Sequence, residues 1–268
     1  MPQSFGNLTD FQTAPQSFDW DYSFQIVDEL SDPAGKCVFM DPGKYVYQSG
    51  SRFISYVGSI GDTLNAAYIR IDREPGRSCV EVKRSALRDR ISSKTVINSL
   101  EAEHLIVMND GILLHSSYVG LADGAILFTA PSGTGKSTQA ELWRKYRNAE
   151  ILNGDRSVVR IKDGSVVADG VPFSGSSGIC KSRTLPLKAI VFLAQAPNTT
   201  IRSITGLRAF RLLWEGCTFH TWSREDTVRC SETLTKVLSE VPVFYLACKP
   251  DESAVIALEQ ALESRNLI

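Results

Sequence analysis

The stretch Ala125-Ile-Leu-Phe-Thr-Ala-Pro-Ser-Gly-Thr-Gly-Lys-Ser-Thr138 decides how this chain is read. Residues 125–129 are a short apolar run ending in threonine, the pattern of a buried strand. A loop with Gly133 and Gly135 follows, and residues 137–146 continue with helical periodicity. Strand, glycine loop and helix in that order predict a phosphate-binding loop. The glycines let successive backbone N–H groups turn inward, and the helix N-terminus adds partial positive charge. Lys136 can then reach the β- and γ-phosphates, and Ser137 can ligate Mg²⁺. The full G-x-x-x-x-G-K-[ST] motif has glycine where this chain has Ala130, so the match is to the shorter G-x-G-K-S-T core. The expected nucleotide-binding residues are Ser132, Gly133, Thr134, Gly135, Lys136, Ser137 and Thr138.

Downstream of Gly111 the pattern alternates strand and helix, which predicts a partly parallel sheet covered by helices. Strands are expected at 112–115, 125–129, 150–152, 189–194 and 243–247, and helices at 137–146, 207–214, 225–240 and 251–262. Asp163-Gly164 predicts a hairpin between 157–161 and 166–168, and Ser223 with Asp226 reads as a capping box. Upstream, residues 24–82 form short apolar runs separated by Asp32-Pro33, Asp41-Pro42-Gly43, Ser49-Gly50 and Glu74-Pro75-Gly76, which predicts antiparallel strands. Val96, Leu100, Leu105 and Met108 lie at helical spacing and predict a bridging helix. The expected fold class is therefore α+β / α/β, with a β-rich region over residues 1–95 and a phosphate-loop domain over 96–268.

A phosphate site needs an acid or base beside it. Asp155 lies 19 residues after Lys136, in Asn153-Gly154-Asp155 behind the apolar Ile151-Leu152. At the tip of a strand next to the loop, a carboxylate can ligate Mg²⁺ with Ser137 or take the proton of an attacking hydroxyl. The same residue can also simply close an Asx turn. His115 is expected to end its strand beside the loop, as a functional or an ordinary edge histidine. The Gly/Ser cluster 172–178 followed by Lys181 and Arg183 offers Ser176, Ser177, Lys181 and Arg183 as a second anion or substrate site, or is a connecting loop.

The 268 residues carry 29 Lys and Arg against 30 Asp and Glu, for a formal net charge of −1, which argues against a nucleic-acid partner. No window approaches the roughly 18 consecutive apolar residues of a membrane helix. No basic residue precedes Lys36 and the start is polar, so no secretory signal is read and a cytoplasmic protein is expected. The six cysteines contain no C-x-x-C pair and read as small apolar fillers.

At 113–117, 130–138 and 152–156 the chain resembles the bacterial HPr kinase/phosphorylase family, whose fold is akin to the nucleotide site of phosphoenolpyruvate carboxykinase. The likeness spans about residues 110–250. It implies that His115, the loop 133–138 and Asp155 serve phosphoryl transfer from ATP, with Mg²⁺, to a serine hydroxyl. The family's paired aspartate is Asn153-Gly154-Asp155 here, with one of the two aspartates, so the expectation is a simple kinase. The segment 173–178 followed by Lys181 looks like a subgroup of kinases found with peptide-modification genes. The first 95 residues do not resemble the N-terminal part of the HPr enzyme, so the expected acceptor is another peptide, protein or small molecule. The alternative expectation is an ATP-binding regulatory or interaction module without phosphotransfer. A homo-oligomer is among the expected partnerships.

Overall fold

The computed structural model describes residues 20–32, 34–58, 66–74, 76–87, 98–173, 175 and 177–268. Val96 of the expected bridging helix and Ser176 of the second anion site lie outside these residues. The chain is a mixed α/β protein with two sheets and divides into two compact units, one ending at Leu105 and one spanning Ile106–Ile268. No helix of the described residues is long and apolar enough to cross a membrane.

The first unit holds β1 (Asp21–Val27), β2 (Lys36–Asp41), β3 (Lys44–Ser49), β4 (Arg52–Gly58), β5 (Ala66–Glu74) and β6 (Arg77–Lys83). Their order across the sheet is β1-β6-β5-β4-β3-β2. Strands β2 to β6 form the expected antiparallel meander, but β1 pairs with β6 in parallel. Local patterning fixes only the hairpins. The direction of β1 is set by the long way round, because the chain leaves β1 and enters the meander at its far edge.

Side-chain alternation splits this sheet into two unlike faces. Tyr56 and Ile69 pack with Leu30, Tyr45, Tyr47, Ile54 and Ile71 on one of them. Arg70, between Ile69 and Ile71, faces the other way and is buried. Its guanidinium pairs with Glu101 at 2.8 Å and Asp72 at 2.8 Å. Ser78 donates to Asp72 at 2.8 Å and accepts from the Trp20 indole at 2.8 Å, and Lys44 meets Glu101 at 2.7 Å.

Helix α1 (Ala102–Met108) leads into the second unit, where β7 (Gly111–Gly120) is the spine. After it come β8 (Ala125–Thr129), α2 (Lys136–Arg147), β9 (Glu150–Asn153), β10 (Arg156–Lys162), β11 (Ser165–Asp169) and β12 (Thr184–Gln195). The chain ends with β13 (Thr200–Ile204), α3 (Gly206–Trp214), β14 (Cys217–Thr218), α4 (Arg224–Glu240), β15 (Val243–Cys248) and α5 (Glu252–Glu263). Strand β12 runs parallel to β8 and β15, which gives the partly parallel sheet expected from the alternating pattern. The ladders β7–β8, β8–β12, β12–β11, β11–β10 and β10–β7 also close a ring.

Both faces of this sheet are covered. Ala125 and Leu127 of β8 join the core that Ala209, Leu213, Leu234 and Val237 of α3 and α4 complete. Ile126 and Phe128 join the opposite core, with Ala140 and Trp143 of α2 and Ala254, Val255 and Leu258 of α5. Each fully buried Leu, Ile or Phe contributes about 1.5–3 kcal/mol, so this two-sided core anchors the strand ends that carry the site. The Asp163-Gly164 hairpin forms with φ of 50° and 76°, and the Ser223 hydroxyl accepts from the Asp226 N–H at 3.2 Å as the capping box required.

Candidate functional site

The site is built where β7 changes partners. Its second half pairs with β8 on one side and β9 on the other, while its first half pairs with β14 and β10. Strand β8 stops at Thr129, opposite Ser116, and turns away as the glycine loop. On the other flank, β9 ends at Asn153 and β10 begins at Arg156, opposite His115, leaving Gly154-Asp155 as the break between them. Loop, histidine and aspartate therefore meet at one level of the spine.

His115 was expected to end its strand and instead sits mid-strand. Ser116 and Ser117 follow it within the same strand. In the fold both hydroxyls are satisfied inside the sheet, Ser116 by Ser157 and Ser117 by the Gly154 carbonyl at 3.3 Å. The His115 N–H donates to the Gly216 carbonyl at 2.9 Å, and its own carbonyl accepts from Thr129 Oγ1 at 2.9 Å. The backbone of His115 is thus held at both ends.

In the loop, Gly133 has φ of 78° and Gly135 has φ of 120°, conformations open to glycine and strained for other residues. An added Cβ at Gly133 would meet nothing within 4 Å, so the demand is conformational and not spatial. Gly135 is the N-cap of α2 and supplies no side chain to cap it. The helix N-terminus is left to its own backbone donors, which suits an anion. Lys136 is 7% exposed and curls back, donating to the Ala130 carbonyl at 3.0 Å and the Pro131 carbonyl at 3.4 Å. Burial pushes its pKa down, and the nearby Asp155 carboxylate opposes that. Ser132, Gly133, Ser137 and Thr138 are exposed, and Thr134 and Gly135 half-buried.

Asp155 does not close the Asx turn; Asn153 does. The fully buried Asn153 amide accepts from the backbone N–H of Asp155 at 2.9 Å and of Arg156 at 3.0 Å. It donates to the carbonyls of Val171 at 3.0 Å and Phe173 at 2.8 Å. The Asp155 carboxylate is thereby spared. It lies 3.6 Å from His115 Nε2 and 3.6 Å from Arg156 Nε, both beyond hydrogen-bond length. Burial is the main cause that lowers the His115 pKa, with Lys136 and Arg156 adding to it and Asp155 opposing. Neutral imidazole is the form favoured at pH 7.

The Gly/Ser cluster reaches Asp155 through Gly175. Gly175, at φ of 52°, presents bare backbone to Asp155: a Cβ there would stand 2.6 Å from the Asp155 Cβ. Ser177 packs against Gly154 and its hydroxyl accepts from the Ile179 N–H at 3.2 Å. Lys181 and Arg183 bond Glu150 at 2.7 and 2.5 Å, at the start of β9 and so at the opposite end from Asp155. The structure brings together His115, Lys136, Asp155 and the loop, and does not bring Lys181 and Arg183 to them. Arg156 and Gly175 are additions that sequence reasoning missed. Arg156 had the signal of direct adjacency to Asp155, whereas Gly175 had none beyond its composition.

A divalent cation would find oxygen donors here. The exposed Ser137 hydroxyl and the Asp155 carboxylate, which accepts no side-chain hydrogen bond among the described residues, are oxygen donors of the kind Mg²⁺ takes.

No protein-family description matches this chain, and no curated protein does. Among solved structures, the Hpr(Ser) kinase/phosphatase from Coxiella burnetii aligns over 58% of this chain and 90% of its own, at 12% identity and a TM-score of 0.34. An overlap that loose carries no weight for function.

Proposed function

We propose that residues 96–268 form a P-loop phosphotransferase domain that moves the γ-phosphoryl group of ATP to a hydroxyl, in the first instance a serine, of a peptide, protein or small molecule. The observation that carries this reading is the convergence, at one level of β7, of the uncapped glycine loop, Lys136 and an Asp155 carboxylate whose neighbours among the described residues stand beyond hydrogen-bond length. The backbone N–H groups of the loop and helix α2 bind the phosphates. Lys136 exchanges its bonds to Ala130 and Pro131 for the β- and γ-phosphate oxygens. Asp155 accepts the hydroxyl proton as the oxygen attacks phosphorus, and the bridging oxygen leaves with ADP. Neutral His115, beside Asp155, donates a hydrogen bond that orients the incoming group. Ser137 and Asp155 would hold Mg²⁺, which would supply charge neutralisation for the phosphates.

The test is incubation of wild type, Lys136→Ala and Asp155→Asn with γ-labelled ATP, Mg²⁺ and serine-containing peptides. Wild type should transfer label. Asp155→Asn should lose about 10²–10⁴-fold in transfer while still binding ATP, the range for removal of a general base. Lys136→Ala should lose ATP binding. Wild type that binds ATP yet labels no hydroxyl would replace the kinase with a nucleotide-gated module.

A further inference from the structure

A cavity of about 600 Å³ lies against the glycine loop, between that loop, the first turn of α2 and the segments leaving the C-terminal ends of β12 and β15. Gln139, Gln195, Ala196, Cys248 and Lys249 line it together with the loop itself. Its volume falls in the range of about 300–1,000 Å³ typical of small-molecule sites. Its walls mix apolar surface with a few polar groups.

Gln139 is the telling residue. It is three positions after Lys136, one turn further along α2. Only 3% of it is exposed, and its Oε1 has no hydrogen-bond partner among the described residues. Among the described residues its Nε2 donates to Cys248 Sγ alone, at 3.3 Å, and sulfur is a weak acceptor. Burial raises the Cys248 pKa, so that thiol stays neutral and brings no charge to the wall. An unpaired buried carbonyl costs about 1–3 kcal/mol. Asn153, an equally buried amide of the same unit, has both its donors and its acceptor engaged. Against that standard, the idle end of Gln139 beside a cavity marks a place for a ligand donor. The exposed Gln195 ties the same cavity to the loop, reaching the Thr134 carbonyl at 3.4 Å.

We propose that this cavity receives the nucleoside half of the nucleotide whose phosphates the glycine loop holds, and that Gln139 Oε1 accepts a hydrogen bond from a hydroxyl or amino group of that nucleoside. This rests on the phosphate-site reading given above. The base lies against the apolar wall of Leu193, Ala194 and Pro197, and the ribose leads back to the loop.

Calorimetric titration of the full chain with Mg-ATP and with Mg-tripolyphosphate separates the two readings. Wild type should bind ATP more tightly than tripolyphosphate. Gln139→Leu should weaken ATP about tenfold or more and leave tripolyphosphate within about twofold, a retained affinity that also reports a folded loop. Ala196→Trp, which fills the cavity from its rim, should remove the advantage of ATP over tripolyphosphate. The cavity assignment is overturned if wild type binds the two ligands equally, if both variants leave ATP binding unchanged, or if both weaken the two ligands together. Wild type that binds neither ligand defeats the phosphate-loop reading itself.

Discussion

Arg70 in the first unit and Asp155 in the second each sit among charged neighbours, and the two clusters differ in closure. Around Arg70 the contacts are 2.8 Å, both Arg70 and Glu101 are 3% exposed at the side chain, and Ser78, Trp20 and Lys44 complete the bonding. Around Asp155 the His115 ring and the Arg156 guanidinium both stand at 3.6 Å, and about a third of each of the Asp155 and His115 side chains faces solvent. The first arrangement consumes every charge in holding the chain. The second holds its charges apart through a neutral frame, the Asn153 amide and the backbone of β7, and leaves them able to bond something else. Closure separates the cluster that holds the fold from the one proposed to react, where residue type does not.

The largest effect expected from this contrast is at Arg70. Removing one partner of a buried pair leaves the other uncompensated, so Arg70→Met should cost about 3–5 kcal/mol, read from denaturant unfolding. A cost below about 1 kcal/mol would mean that the cluster is as open as the one at Asp155. Next is Gly175→Ala. The substitution places a methyl 2.6 Å from the Asp155 Cβ and puts alanine at φ of 52°. The strain is about 1–3 kcal/mol, and transfer should fall well beyond the stability loss, because displacement of a reacting group by about 1 Å can cost 10²-fold. Unchanged transfer would show that Asp155 needs no fixed position.

The open cluster should also show in pH dependence. The folded His115 pKa lies below its ordinary 6.5, so the unfolded chain takes up that proton first as pH falls. The contribution to stability is complete above 6.5 and is lost as pH drops through the folded value. His115→Gln should flatten that part of a plot of unfolding midpoint against pH. An identical slope in the variant would place the titration elsewhere.

How much of this was readable in advance follows the same division. Strand β8 was read to the residue, and α2 to within one residue at each end, because strand run, glycines and lysine are contiguous in sequence. The hairpin at Asp163-Gly164 and the cap at Ser223 are local too. Strands β13 and β14 escaped: β13 is mostly exposed and lacks alternation, and β14 is the two-residue Cys217-Thr218. The role of Asn153 needed tertiary knowledge, since its donors reach Val171 and Phe173, some twenty residues on. The approach of Gly175 to Asp155 is likewise a long-range contact with no local trace.

Lys181 offers the smallest effect and the sharpest check on the second anion site. Its ammonium bonds Glu150 at 2.7 Å, with side chains 48% and 40% exposed, and that bond is the leading cause that lowers the Glu150 pKa. Charges so exposed are screened, and such pairs contribute about 0.2–1 kcal/mol. Lys181→Met should therefore shift unfolding by no more than that at low salt. At about 1 M salt, where the screening length falls to about 3 Å, the difference from wild type should largely vanish. A salt-independent loss would mean that the stem, not the charge, matters there. A fall in transfer beyond tenfold would place Lys181 with the reactive group after all, and the closed pair with Glu150 would then be a resting arrangement that the acceptor breaks.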